Sequence, residues 1–461
     1  MRSQTPVSVK PTSIHKHYRT TMPRDHNLFS RAAGETPTLV KGDGVYIWDS
    51  DDKKYLDGSG GPLCVNIGYG VKEVNDSIKR QMDAVSFAYS GFFVAEAVKE
   101  LSEKLADFSP GTLKHNFFCN GGSEATEAAA KMARQYHLEN GDQTRYKVIA
   151  RWQSYHGNTL GALSMSGHIG RRRRFAPMLI DFPHIPAAYC YRCPYAKTPD
   201  RCDLECARAL DTMIKATGPE YVSAFIAEPV VGATLGTVPA PKGYFQLIRE
   251  ICDQHGVLFI ADEVMTGCGR TGKNWGIEHW EVEPDIMTAA KGISSGYLPL
   301  GAVIASDKVY ETFKGPFAHG HTYGNHALCC AAGSACLTYI QKHNLVEKSA
   351  KGGKYLMKRL KEFYDHPTVG DVRGLGLFAG IEFVKDKKTK EPLDPKLGFN
   401  QRVFKECWDR GLIVYPGAGT IDGTAGDHIQ IGPPLCAKRE ELDELLALLE
   451  QGLKAAEKTI C

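Results

Sequence analysis

No apolar run in the 461 residues approaches the roughly 18 that a membrane-spanning helix needs, which argues against a helical membrane protein. Neither charge sign dominates. The 56 lysines and arginines stand against 53 acids, leaving a net charge of +3, so there is no electrostatic case for nucleic acid or an anionic membrane as partner. Internal repeats, low-complexity tracts and a secretory h-region are also missing. Without a signal peptide, the 14 cysteines read as reduced thiols of a cytoplasmic protein. The first 24 residues carry Arg2, Lys10, Lys16, Arg19 and Arg24 but no acid before Asp25; the expectation is a basic arm draped over a neighbour.

What is present is 43% hydrophobic residues, enough for a large domain and a smaller one. Residues 36–58 read as a meander, with VYIWD and KYLD as strands turned at Asp51 and Asp52. From about residue 95, helices alternate with short apolar strands. AEAVKELSEKLADF, SEATEAAAKMARQYHLEN and GYFQLIREICDQHG carry helical periodicity, and HNFFCN, KVIARW, AFIAEP and VLFIADE are strands. That alternation predicts an α/β fold with a mainly parallel sheet covered on both faces. The expected division is an arm and meander over 1–70, a large domain over 71–326 and a smaller α+β domain over 327–461.

One cysteine cluster stands out, Cys190, Cys193, Cys202 and Cys206. Four thiolates at this spacing can close a tetrahedral zinc site, but the second half lacks the tight C-x2-C knuckle. The expectation is therefore no metal, and thiols that pack or stay free.

A second oddity is PDIMTAAKGISSGYLPLGAVIAS, where a buried segment ends on Lys291. A lysine there is costly unless it meets water, pairs with an acid, or sheds its proton. Ligands of such sheets gather at the carboxyl ends of the strands, and two further strand ends are polar. HNFFCN runs into Gly121, Gly122 and Ser123, and VLFIA runs into Asp262 and Glu263. Together these can hold a phosphorylated pyridine aldehyde. The glycines expose backbone N–H groups at a helix start to a phosphate. The Asp262 carboxylate can keep a pyridine nitrogen protonated. A desolvated Lys291 can form an imine with the aldehyde.

The motifs NGGSEATEAAAKMAR, YHGNTLGALSMSG, AEPVVG, LFIADEVMTGCGRTG, AAKGISSGYLPLGAV, HGHTYGNHALCCAA and VRGLGLFAGIEF occur in order. In them the chain resembles the class III aminotransferases, pyridoxal 5'-phosphate enzymes of fold type I, over nearly its whole length. The resemblance implies a large domain built on a mainly parallel, seven-stranded sheet sandwiched by helices. It implies Lys291 and Asp262 as catalytic residues. Gly121, Gly122, Ser123, Tyr155, His156, Glu228 and Val264 would hold the cofactor with them, His156 being as readily a packed core residue. It also implies a homodimer, with a dimer of dimers as the larger alternative, in which Thr322 reaches the partner's phosphate. Three positions depart from the pattern: Gly121 replaces Ser or Thr, Met265 replaces Gln, and His326 replaces the proline of a GNP motif.

Relatives acting on ornithine or γ-aminobutyrate mask an arginine with a Glu after the EP motif; here that position is Ala233. Arg373 is therefore expected to be free to take a carboxylate, with Leu63, Tyr155 and Tyr415 lining the substrate pocket. Tyr415 stands where many pyruvate-dependent relatives carry a second arginine, which favours pyruvate over 2-oxoglutarate. The donor is expected to be an ω-amino acid, an aminosulfonate or an amine. A racemase, aminomutase or lyase on the same scaffold would keep every one of these motifs.

Overall fold

The computed structural model describes residues 28–29 and 36–460; the basic arm expected over 1–24 lies outside them. A seven-stranded sheet forms the centre, in the spatial order Leu113–Cys119, Gly301–Ser306, Ile286–Ala289, Leu258–Asp262, Val222–Ala227, Lys147–Arg151 and His184–Ile185. Gly301–Ser306 runs antiparallel to both neighbours, and the other adjacent pairs are parallel.

Side-chain alternation along these strands builds two cores, one on each face. Phe225, Phe259, Met287 and Ile304 share one core with Phe245 and Ile248 of helix Tyr244–His255. Ala224, Ile226, Leu258, Ile260 and Val303 share the other with Ala125, Ala129 and Met132 of helix Gly122–Glu139. The small residues on that helix let it lie close to the sheet. Strands Val222–Ala227, Leu258–Asp262 and Gly301–Ser306 are consequently buried along their whole length.

The expected meander is present as Tyr46–Asp49 and Lys54–Asp57, joined by a further strand, Leu39–Asp43. Its far edge is closed by Leu412–Ile413, which runs parallel to Lys54–Asp57. The N-terminal segment is thus hydrogen-bonded to the C-terminal one. A third sheet, in the order Val369–Gly374, Ala379–Phe383, Asp427–Ile431 and Tyr415–Ala418, contains the expected strand pair. Helix Ala327–Lys342 packs chiefly on helices Lys72–Ala84 and Glu96–Phe108, not on that sheet.

Candidate active site

The three polar strand ends meet at one cavity of about 380 Å³, lined by Gly121, Gly122, Ser123, Asp262 and Lys291. Lys291 follows strand Ile286–Ala289 and opens a short 3-10 turn with φ at 46°, in the left-handed region that a residue with a side chain enters at a cost. Burial lowers its pKa to about 8. Cys64 and Asp262 oppose that shift, and Arg171 and Arg270 reinforce it. An amine of this kind is a nucleophile and a base near neutral pH.

Asp262 ends strand Leu258–Asp262. One of its carboxylate oxygens lies 2.6 Å from His156 Nδ1, and the other accepts the Val264 backbone N–H at 3.0 Å. Burial opposes charge on His156, yet Glu228 and Asp262 outweigh it and raise the imidazole pKa. His156 therefore reinforces the Asp262 carboxylate and lines the cavity beside it. Glu228 also lines the cavity. Its carboxylate accepts the Tyr155 backbone N–H at 2.9 Å and pairs with the buried Arg151 at 3.1 Å, which fixes the start of the Tyr155–His156 segment. Tyr155 and Val264 both contribute to the cavity wall.

Helix Gly122–Glu139 begins at the cavity, and its N-cap Gly121 supplies no side-chain hydrogen bond. The first-turn N–H groups and the positive end of the helix dipole are open to an anion. A Cβ at Gly121 would meet nothing within 4 Å, whereas one at Gly122 would come within 2.9 Å of Val264. The second glycine is thus required by close approach, the first by no contact within the chain. The Ser123 hydroxyl accepts the Asn158 N–H at 3.0 Å, which leaves its own proton free to donate. A lysine with a lowered pKa, a histidine-braced carboxylate, a buried His156 Nε2 with no hydrogen-bond partner among the described residues beyond a 3.9 Å ion pair to Glu228, and an uncapped helix fit a phosphorylated pyridine aldehyde.

Four expected site residues lie elsewhere. Leu63 is 1% exposed and belongs to the core; its neighbour Cys64 faces the cavity instead. Tyr415 sits on strand Tyr415–Ala418 and is no part of the cavity wall. Thr322 is exposed and does not line its own chain's cavity. Arg373 requires a correction: its guanidinium is not free. It pairs with Asp371 and Glu382, each at 2.8 Å, and donates to the Gly236 carbonyl at 2.9 Å and to the Leu235 carbonyl. Glu382 is held in turn by Tyr189 and by Arg192 at 2.6 Å. With these partners in place, Arg373 braces the sheet junction outside the cavity.

Among the described residues, no three of His, Cys, Asp and Glu are grouped to hold a metal ion. Cys190 is exposed, while Cys206 is buried in helix Glu205–Thr217, its thiol pushed up to about 12 by burial and the three nearby thiols. Cys202 donates to Glu205 at 3.4 Å. The segment's clearest attachment is made by Tyr189 and Arg192. Sequence reasoning missed Arg151 as the anchor of Glu228. The signal was available: like Lys291, Arg151 is a charged residue at the end of an apolar strand.

A family model described as "Aminotransferase class-III" matches residues 30–453. The chain is 42% identical over 428 residues to "Uncharacterized aminotransferase YodT" of Bacillus subtilis, covering 92% of this chain and 96% of that one. It is 37% identical over 420 residues to the putrescine–pyruvate aminotransferase of Pseudomonas aeruginosa, covering 90% of each. Among solved structures, an (S)-enantioselective omega-transaminase from Thermomicrobium roseum superposes with a TM-score of 0.88 at 37% identity, covering 94% of this chain and 96% of that one. Family match, fold and cavity agree: the chain belongs to the class III aminotransferases, fold type I enzymes that transfer amino groups.

Proposed function

We propose that the protein moves an amino group from an ω-amino acid, an aminosulfonate or a simple amine to a 2-oxo acid, with pyruvate as the acceptor. The observation that carries the acceptor is the cavity wall, where Lys291 is the only lysine or arginine among the described residues that line it. A dianion such as 2-oxoglutarate would need two cations, and the expected second one is Tyr415. Ala233 lines the cavity where other relatives have Glu, so no Glu at that position competes with an incoming carboxylate. The similarity to a putrescine–pyruvate aminotransferase supports this reading, whereas a diaminobutyrate–2-oxoglutarate transaminase at 36% identity keeps the dicarboxylate as the alternative.

Pyridoxal 5'-phosphate, the family's cofactor, supplies an electron sink for the pair left behind when the substrate carbon loses its proton. Gly122, Ser123 and the helix start would hold its phosphate, and Asp262 its ring nitrogen. Tyr155 and Val264 would enclose the ring. Lys291 Nζ, as a neutral amine, would take the proton from the amine-bearing carbon and hold it as an ammonium until it is returned to carbon. His156 holds Asp262 in orientation throughout. We further propose a homodimer in which Thr322 reaches the neighbouring cavity. The exposed Phe92 and Phe93, at 79% and 71%, give the stretch 86–94 an apolar face to bury against a second copy.

The test is a pair of half-reactions followed in the visible spectrum. A panel of amines, added alone, should convert the holoenzyme to its pyridoxamine form, and pyruvate should reverse the change. A spectrum that returns to its start without an oxo acid would indicate a racemase. Faster reversal by 2-oxoglutarate would overturn the choice of acceptor.

A further inference from the structure

If the acceptor is a 2-oxo acid, its carboxylate needs a cation that is neither Lys291, occupied by the chemistry, nor Arg373, occupied by the fold. Two arginines lie near enough to Lys291 to depress its ammonium, Arg171 and Arg270. Arg270 is fully buried, and its guanidinium donates to the carbonyls of Leu377 and Pro433 and to Asn66. It has no approach to a ligand. Arg171 differs on both counts. It is half-buried, its side chain has no hydrogen-bond or ion-pair partner among the described residues, and its guanidinium lies over the Tyr155 ring, 4.2 Å from the ring centre.

We propose that Arg171, which lies against the wall residue Tyr155 and is not itself among the lining residues, receives the carboxylate of the oxo acid. The proposal rests on the 2-oxo-acid reading above and gives that reading its missing cation. A guanidinium stacked on an aromatic face keeps its in-plane N–H groups available, so stacking and bidentate carboxylate binding are compatible.

The surroundings hold the arginine in place without neutralising it. Its backbone N–H donates to His168 Nδ1 at 3.1 Å, at the start of the short helix Ile169–Arg172. The glycine-rich segment after Tyr415 lies against that helix, since a Cβ at Gly423 would come within 2.5 Å of Ile169. Gln153 fastens the same segment by donating to the Thr420 carbonyl at 2.5 Å and to that of Ile421 at 3.2 Å. That segment therefore supports the helix that carries Arg171. Arg172 is directed elsewhere, onto the carbonyls of Leu163, Ser164 and Ser166. Arg174 is exposed and serves as a surface control.

The experiment uses the holoenzyme and the variants Arg171→Gln, Arg171→Lys and Arg174→Gln. Three quantities are read: the half-reaction with pyruvate, the half-reaction with benzylamine, which has no carboxylate, and the calorimetric Kd of propanoate. Arg171→Gln should raise the pyruvate requirement and the propanoate Kd by about 10- to 100-fold, the worth of a charge-assisted hydrogen bond. Benzylamine should stay within about threefold of wild type. Arg171→Lys should recover part of the loss, and Arg174→Gln should change nothing. Equal losses for pyruvate and benzylamine would overturn the proposal and leave Arg171 as a brace for Tyr155. So would an unchanged propanoate Kd. Should wild type exchange no amine at all, the transaminase reading fails, yet propanoate binding still decides the role of Arg171.

Discussion

Lys291 and Arg373 are both cations held inside the protein, and their surroundings drive them in opposite directions. At Arg373, burial is outweighed by Tyr189, Glu382 and Asp371, and the guanidinium is held more firmly charged than in water. At Lys291 burial prevails, and the pKa falls to about 8. The two differ in partners more than in depth. A buried cation whose donors are all engaged serves the fold, and one with weak opposition can release its proton and react.

The largest test of this contrast is Lys291→Ala. Turnover should fall by about 10⁴-fold, because nucleophile and proton carrier are lost together. Circular dichroism should be unchanged. Near wild-type turnover in the purified variant would show that Lys291 is not the reactive group.

At the other cation, Glu382→Ala would leave Arg373 short of a carboxylate in the interior. The expected cost is about 3–5 kcal/mol in urea unfolding, the usual range for breaking a buried pair. Arg373→Ala should slow the pyruvate and amine half-reactions alike. A loss confined to pyruvate would move Arg373 from the fold to the substrate and remove the contrast.

The depressed lysine also makes a pH prediction for cofactor capture by the apo-protein. With a pKa of about 8, Lys291 is an ammonium below that pH and a neutral nucleophile above it. The capture rate should rise roughly fivefold from about pH 7 to about pH 8, about twofold more by about pH 9, and then level off. An ordinary lysine would instead keep gaining rate up to about pH 10. Stopped-flow absorbance across that range separates the two.

The smallest effect concerns the backbone. Because Lys291 has φ at 46°, Lys291→Gly should be more stable than Lys291→Ala by about 1 kcal/mol. Comparison of the two melting curves checks it. The reverse order would mean that the turn after the strand is not left-handed.

Much of this was legible in the chain. The helix-and-strand alternation, the three polar strand ends and the junction lysine follow from local apolar periodicity and from the anomaly of a charge where a buried strand stops. The direction of Gly301–Ser306 was not legible, because an apolar run looks the same read either way. The surroundings of Arg373 were misread for a related reason. Its partner Glu382 lies inside an apolar strand, and Tyr189 lies 193 residues before Glu382 in the chain, so nothing local to VRGLG announces either.

By itself, the sequence determined which segments are helix and strand, where strands stop at polar residues, and which chemistry Lys291, Asp262 and the paired glycines could support. These depend on short-range order: the period of apolar residues, the conformational freedom of glycine and the cost of a charge at a buried boundary. Only the tertiary structure decided which charges meet. It joined Arg373 to Glu382, Glu228 to Arg151 and Asp262 to His156, and left Arg171 on the Tyr155 ring with no anion beside it among the described residues. Ion pairing depends on the approach of groups far apart along the chain, to within a few ångströms and in the right orientation, and no local pattern encodes that approach.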